Sequence, residues 1–261
     1  MIKHYRMADQ VISVESIYEN VHSLCAAYGT DEPADMSVII SKEDISAERE
    51  KAAREDRKEG IQPRNWSDTY LEELAVYRKI AEQMPFYDTL LIHGSALAVD
   101  GQAYLFTAPS GTGKSTHAKI WRQQFGERAV VINDDKPLLH IDEDRAVIYG
   151  TPYDGKHRLS TNTSAPLKAV CFLKRGMKNS ILPLTGQEAY PRLLAQTYRP
   201  EKGEMLAKTL LLLNRLTKLV SFYELSCNMD PEAALVAYTG MNPVGICSEY
   251  DRPLSGGKDQ I

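Results

Sequence analysis

Ala108-Pro109-Ser110-Gly111-Thr112-Gly113-Lys114-Ser115 is the stretch whose reading decides this chain. A backbone that wraps a polyphosphate turns successive N–H groups inward, needs glycine where a Cβ would collide, and needs one flexible cation to reach the β- and γ-phosphates. Gly111, Gly113 and Lys114 meet those demands, and Ser115 brings the hydroxyl that ligates Mg²⁺ in such loops. Ser110, Thr112 and Thr116 complete the set expected to surround a nucleotide. The pattern G-x-x-x-x-G-K-[ST] lacks only its leading glycine. Ala108 stands there and adds a single methyl, which makes this a variant loop.

A turn rich in Gly, Ser, Thr and Pro can also merely join a strand to a helix, so the context matters. Ala103–Thr107 reads as a buried strand, and Ser115–Phe125 reads as a helix whose N-terminus adds its positive dipole end to an anion site. Lys114 is expected to face solvent from this loop. Upstream, the apolar run 90–99 and the run Gln102–Thr107 are joined by Asp100-Gly101, a strong hairpin signal. Common phosphate-loop folds reach their loop strand without an antiparallel partner before it. A hairpin feeding the loop therefore points to an α/β kinase core with a mixed sheet.

Asp134 and Asp135 end the apolar strand 129–132, about twenty residues after Lys114. A nucleotide kinase needs a carboxylate for Mg²⁺ there, and needs a second to take a proton from the attacking hydroxyl. Alone, Asn133-Asp134-Asp135 is also a common turn; with the phosphate loop upstream it reads as a site. His93 lies on the strand paired with the loop strand, so hairpin register can bring it to the acids, although a lone histidine in an apolar strand is commonly a satisfied core residue. His117, one helical turn past the loop, can approach phosphates or sit on the surface. The polar loop from Gly150 carries Lys156 and Arg158, the cations best placed to clamp a transferring phosphoryl group.

The 261 residues, 43% hydrophobic and 25% charged, describe an ordinary globular chain with room for a large core. A formal net charge of −4 gives no general attraction to nucleic acid or anionic membrane. No apolar run approaches the ~18 residues of a membrane helix, and the first ten residues lack a secretory core, so a cytoplasmic protein with no nucleic-acid or membrane partner is expected. Four scattered cysteines without a C-x-x-C pair suggest neither zinc nor a disulfide framework.

Residues 1–87 read as a small α+β region. It holds a helix candidate at 16–28, a run at 42–60 in which 13 of 19 residues are charged, and an apolar-striped helix at 68–84. The charged run is expected as a solvated helix laced with i,i+4 pairs. Residues 88–247 form the catalytic domain, with a hairpin at 138–149, a buried strand at 167–173 and helices at 185–198 and 204–220. A last helix is capped by Asp230-Pro231, and 248–261 is expected as a flexible tail.

The order H-G-S-A-L-A-V-D-G, then S-G-T-G-K-S, then I-N-D-D-K-P-L-L resembles the catalytic domain of the HPr kinase/phosphorylase family over residues 88–175. The S-G-T-G-K-[ST] and D-D elements also resemble ATP-dependent phosphoenolpyruvate carboxykinases, and the chain looks most like uncharacterised bacterial HPr-kinase-like proteins. That resemblance implies a mixed-sheet core of the HPr kinase C-terminal type and an active site of His93, Lys114, Ser115, Asp134 and Asp135. The cofactors implied are ATP and Mg²⁺. The reaction implied is transfer of the γ-phosphoryl to a hydroxyl of a protein, peptide or small molecule, most plausibly a serine, by a chain that can form a homo-oligomer. Two alternatives stay open from the residues: a nucleotide-binding regulatory module without transfer, and a carboxykinase-like enzyme.

Overall fold

The computed structural model describes residues 1–58, 60–155 and 158–243; Lys156 and the tail 248–261 lie outside the described residues. The chain opens with an antiparallel pair, β1 (Ile2–Met7) and β2 (Gln10–Glu15), and the short helix α1 (Asn20–Leu24) leads to β3 (Met36–Ile39), parallel to β2. Helices α2 (Lys42–Lys58) and α3 (Asp68–Gln83) follow. Leu71, Ala75, Val76 and Ile80 of α3 sit in one core with Tyr5, Ile12, Val14 and Val38, which explains the apolar stripe. Ser67 caps α3 by accepting the Tyr70 N–H.

The charged run is helical, as its composition suggests, but its ion pairs run differently. Among the described residues they reach α3 and the connection before it, through Arg78–Glu48, Arg49–Asp68, Lys79–Asp44 and Arg64–Asp56, instead of i,i+4 along α2.

The second sheet contains β4 (Thr89–Leu91), β5 (Ser95–Val99), β6 (Gln102–Thr107), β7 (Ala129–Asn133), β8 (Leu138–Ile141), β9 (Ala146–Tyr149), β10 (Ser164–Arg175), β11 (Ser180–Leu184) and β12 (Ser221–Cys227). Its order is β4-β8-β9-β10-β6-β5-β7, with β12 parallel to β10 and β11 antiparallel on the far side of β12. The protein is thus mixed α/β. Asp100 and Gly101 turn the β5–β6 hairpin with both φ positive, as a two-residue turn of primed type requires.

Helices cover both faces. On one, α4 (Lys114–Phe125) and α7 (Glu232–Met241) bury Trp121, Ala118, Ala234 and Ala237 against Leu97, Tyr104 and Phe106. On the other, α5 (Gly186–Gln196) and α6 (Gly203–Leu219) bury Leu193, Leu212 and Leu216 against Ala96, Leu105 and Val170. Every residue of β5 is therefore buried, and the strand reads as a continuous apolar run. The cap of α7 differs from expectation: Pro231 is the N-cap, without a side-chain bond, and Asp230 lies one residue outside.

Candidate active site

Strand direction brings the chemistry to one edge. β5 is antiparallel to both β6 and β7, so β6 and β7 run the same way and end together. The glycine-rich loop 108–115 follows β6, Asp134-Asp135 follows β7, and His93 leads into β5 at that same edge. The pairings Ser95 with Phe106 and Ala96 with Asn133 set the register. β10, parallel to β6, ends there at Arg175.

The loop is formed by backbone geometry only glycine adopts easily. Gly111 has φ 76° and Gly113 φ 119°, the latter as the residue before α4. Lys114 departs from the expected solvent-facing cation. It is only 9% exposed, because its Nζ folds back across the loop and donates to the Ala108 carbonyl at 2.9 Å. Burial pushes its pKa down, and the charges of Asp135 and Asp134 oppose that shift. The Arg175 guanidinium, which the sequence reading missed, donates to the carbonyls of Gly111 (2.6 Å) and Thr112 (3.3 Å) and braces the loop from β10. The Thr112 hydroxyl donates to Pro109 at 2.8 Å.

The acid turn is organised by Asn133, wholly buried. Its side-chain oxygen accepts the N–H groups of Asp135 and Lys136 at 2.8 and 2.7 Å, and its NH₂ donates to the Thr151 hydroxyl and carbonyl. Asp134 is buried and accepts the Ser95 hydroxyl at 2.7 Å. Asp135 is more open. Its Oδ1 lies 3.0 Å from His93 Nε2 and its Oδ2 3.5 Å from Lys136 Nζ. Burial would raise the Asp135 pKa, but the His93 hydrogen bond and the Lys136 charge outweigh it and hold the carboxyl below its ordinary range. His93 is fixed at both backbone groups, its N–H donating to Gln196 (2.8 Å) and its carbonyl accepting the Thr107 hydroxyl (2.7 Å).

These groups share one cleft of about 780 Å³. Ser110, Gly111, Gly113, Lys114, Ser115, Thr116, His93, Asp134, Asp135 and Arg158 all line it; Thr112 does not. Arg158 adopts a left-handed backbone, with its N–H on the Gly155 carbonyl at 3.1 Å. His117 neither lines the cleft nor lies on the surface. It is buried behind the loop, edge-on to Phe106 at 4.6 Å, with Nε2 accepting the Trp121 indole N–H at 2.9 Å.

The opposite wall comes from the N-terminal region and was not anticipated. Tyr70, Glu73 and Leu74 of α3, with Leu24 of α1, face the phosphate loop. Tyr77 anchors this wall: its hydroxyl donates to the Lys136 carbonyl at 2.6 Å, and its ring stacks on Tyr153 with centroids 3.9 Å apart. Tyr70, Glu73, Leu74 and Tyr77 fall at i, i+3, i+4 and i+7 of one helix face, and that row was the available signal.

Among the described residues, no group of three or more His, Cys, Asp or Glu is arranged to hold a metal ion by itself. No helix among them is long and apolar enough to cross a membrane.

The glycine-rich loop, the acid pair and the mixed sheet define an α/β protein with these groups gathered around one cleft. The chain belongs to the ScmC family, described as SynChlorMet cassette protein ScmC, which it matches over residues 64–229. The matched span takes in α3 and every residue of the cleft except Leu24. Among solved structures it is similar to the Hpr(Ser) kinase/phosphatase from Coxiella burnetii, at 14% identity and a TM-score of 0.26, covering 49% of this chain and 97% of that one, a likeness too slight to carry an argument. No curated protein matches it.

Proposed function

We propose that the protein is an ATP- and Mg²⁺-dependent phosphotransferase that moves the γ-phosphoryl group of ATP to a hydroxyl acceptor. The observation that carries this reading is the meeting of the phosphate loop, Asp134, Asp135 and His93 around one cleft. The resemblance of the three motifs to HPr-kinase-like proteins supports it. In this reading the loop amides and Lys114 bind the β- and γ-phosphates. The Ser115 hydroxyl and one of the two carboxylates, Asp134, are hard oxygen donors of the kind Mg²⁺ takes alongside substrate phosphates, so these residues would hold the ion. Mg²⁺ bound there supplies charge neutralisation on the phosphate oxygens.

Asp135 is the base. It is the more accessible acid, held by His93, and is placed to take the hydroxyl proton as the acceptor oxygen bonds to the γ-phosphorus and the bridge to the β-phosphate breaks, releasing ADP. His93 positions it. Asp134, buried and oriented by Ser95, serves the metal side. Arg158, with Lys156 from the same loop, offsets charge on the moving phosphoryl. Residues 88–247 would thus carry the transfer, and residues 1–87 would close the cleft.

Calorimetry with Mg-ATP tests the reading. Lys114→Ala should lose measurable binding while its far-UV circular dichroism stays that of the native protein. Tight Mg-ATP binding by this variant overturns the phosphate-loop assignment. ATP consumption that ignores added hydroxyl acceptors points instead to a regulatory nucleotide module.

A further inference from the structure

The cleft has two electrically different walls. The phosphate-loop side offers amides and Lys114, and the α3 side offers the Glu73 carboxylate. Glu73 is half-buried and makes no hydrogen bond or ion pair among the described residues, and burial raises its pKa while the charge of Arg158 opposes the rise. The Arg158 guanidinium likewise has no hydrogen-bond partner among them, and the two stop short of an ion pair, which leaves charges of both signs facing the opening. Beside Glu73, the Tyr70 ring is 39% exposed, and its hydroxyl feels the charge of Asp135, so this wall and the acid pair address the same space.

A partly desolvated carboxylate without a partner is costly to hold, and a cation that arrives with a ligand relieves that cost. The phosphates of ATP have the wrong sign for it. Mg²⁺, the cation that accompanies them, is assigned to Ser115 and Asp134, so the cation that meets Glu73 belongs to the acceptor.

We propose that Glu73 recognises a cationic acceptor: a hydroxyl compound bearing an ammonium group, whose hydroxyl reaches Asp135 while the ammonium pairs with Glu73 beside the Tyr70 ring. This rests on the phosphotransferase reading and adds the acceptor's chemical class. An aromatic face next to a carboxylate suits an ammonium doubly, through charge pairing and through the ring quadrupole. The ammonium can come from a lysine near a serine in a peptide, or from a small amino alcohol.

The test uses the full chain, γ-labelled Mg-ATP and two acceptor sets: serine hexapeptides differing only in Lys, Gln or Glu two residues from the serine, and ethanolamine against ethylene glycol. The wild type should favour the Lys peptide over the Glu peptide by about tenfold or more in kcat/KM, or ethanolamine over ethylene glycol by a similar factor, and the set that responds names the source. Glu73→Gln should flatten the ranking and Glu73→Lys should invert it. If Glu73→Lys does not fold, flattening in Glu73→Gln carries the test. No cationic preference in the wild type, a ranking preserved in the variants, or no transfer to any cationic acceptor while Mg-ATP binds overturns the inference. So does a fall in Mg-ATP affinity with an unchanged acceptor ranking, which would give this wall to the nucleotide base. Failure of the wild type to bind Mg-ATP overturns the underlying phosphotransferase reading instead.

Discussion

Lowering the pH from 7 to 5 should destabilise this protein through His117. The ring is 2% exposed, and because Nε2 accepts the Trp121 indole N–H, the proton of the neutral ring sits on Nδ1, which is buried without a partner. A second proton would turn Nε2 into a donor facing another donor and would place a charge among Phe106 and Trp121. Burial accordingly pushes the His117 pKa down from 6.5 to about 4. Between those values the unfolded chain binds the proton and the native chain does not, so stability falls as the pH falls. The contribution is intact above about 6.5 and fully lost below about 4. At pH 5 the loss is roughly 2 kcal/mol, about a thirtyfold change in the folded-to-unfolded ratio. His22 is also lowered by burial and acts in the same direction, so the comparison must be with a variant that differs only at 117. His117→Gln does not titrate and keeps an acceptor for Trp121. Urea unfolding followed by far-UV circular dichroism at pH 7, 6 and 5 should show the wild type losing about 2 kcal/mol more than this variant between the extremes. An equal acid loss in the two proteins would refute the neutral, donor-blocked ring.

The remaining predictions concern the cleft. Asp135→Asn should lower transfer by a factor on the order of 10² to 10⁴ while Mg-ATP still binds, since the amide keeps the shape but not the basicity. Asp134→Asn should instead raise the Mg²⁺ concentration needed for half-maximal rate by about tenfold, and near wild-type transfer in both variants would reduce Asn133-Asp134-Asp135 to a structural turn. Arg158→Ala should lower kcat by on the order of 10² with little change in ATP affinity, because charge develops on the transferring group and not on the adenosine; an unchanged kcat would make the loop an ordinary connection.

The parts of this protein that were legible in the sequence are those whose determinants lie within a few residues. Asp100-Gly101 specifies the β5–β6 turn by itself, and that hairpin then fixes which edge of the sheet receives the phosphate loop. The apolar run 167–173 of β10 and the stripes of α3 and α6 were visible for the same reason. β12 was not, because Ser221–Cys227 follows the long helix α6 with no Gly or Pro between them, and β11 carries Pro183 and faces largely outward. The curled Lys114 and the hidden His117 depend on what covers them, which periodicity does not report. The site divides along the same line. Its loop half is nine consecutive residues, 108–116, whose glycines encode the backbone they adopt. Its opposite wall is held by contacts between distant segments, Tyr77 with Lys136 and Tyr153, and an amphipathic pattern in α3 states which face is buried without stating what the neighbouring face looks upon. Charge follows this division as well. The half written locally carries the Lys114 cation, while the half assembled by tertiary packing carries Glu73, so the first charge could be read from the motif and the second emerges only once α3 is seen across the cleft.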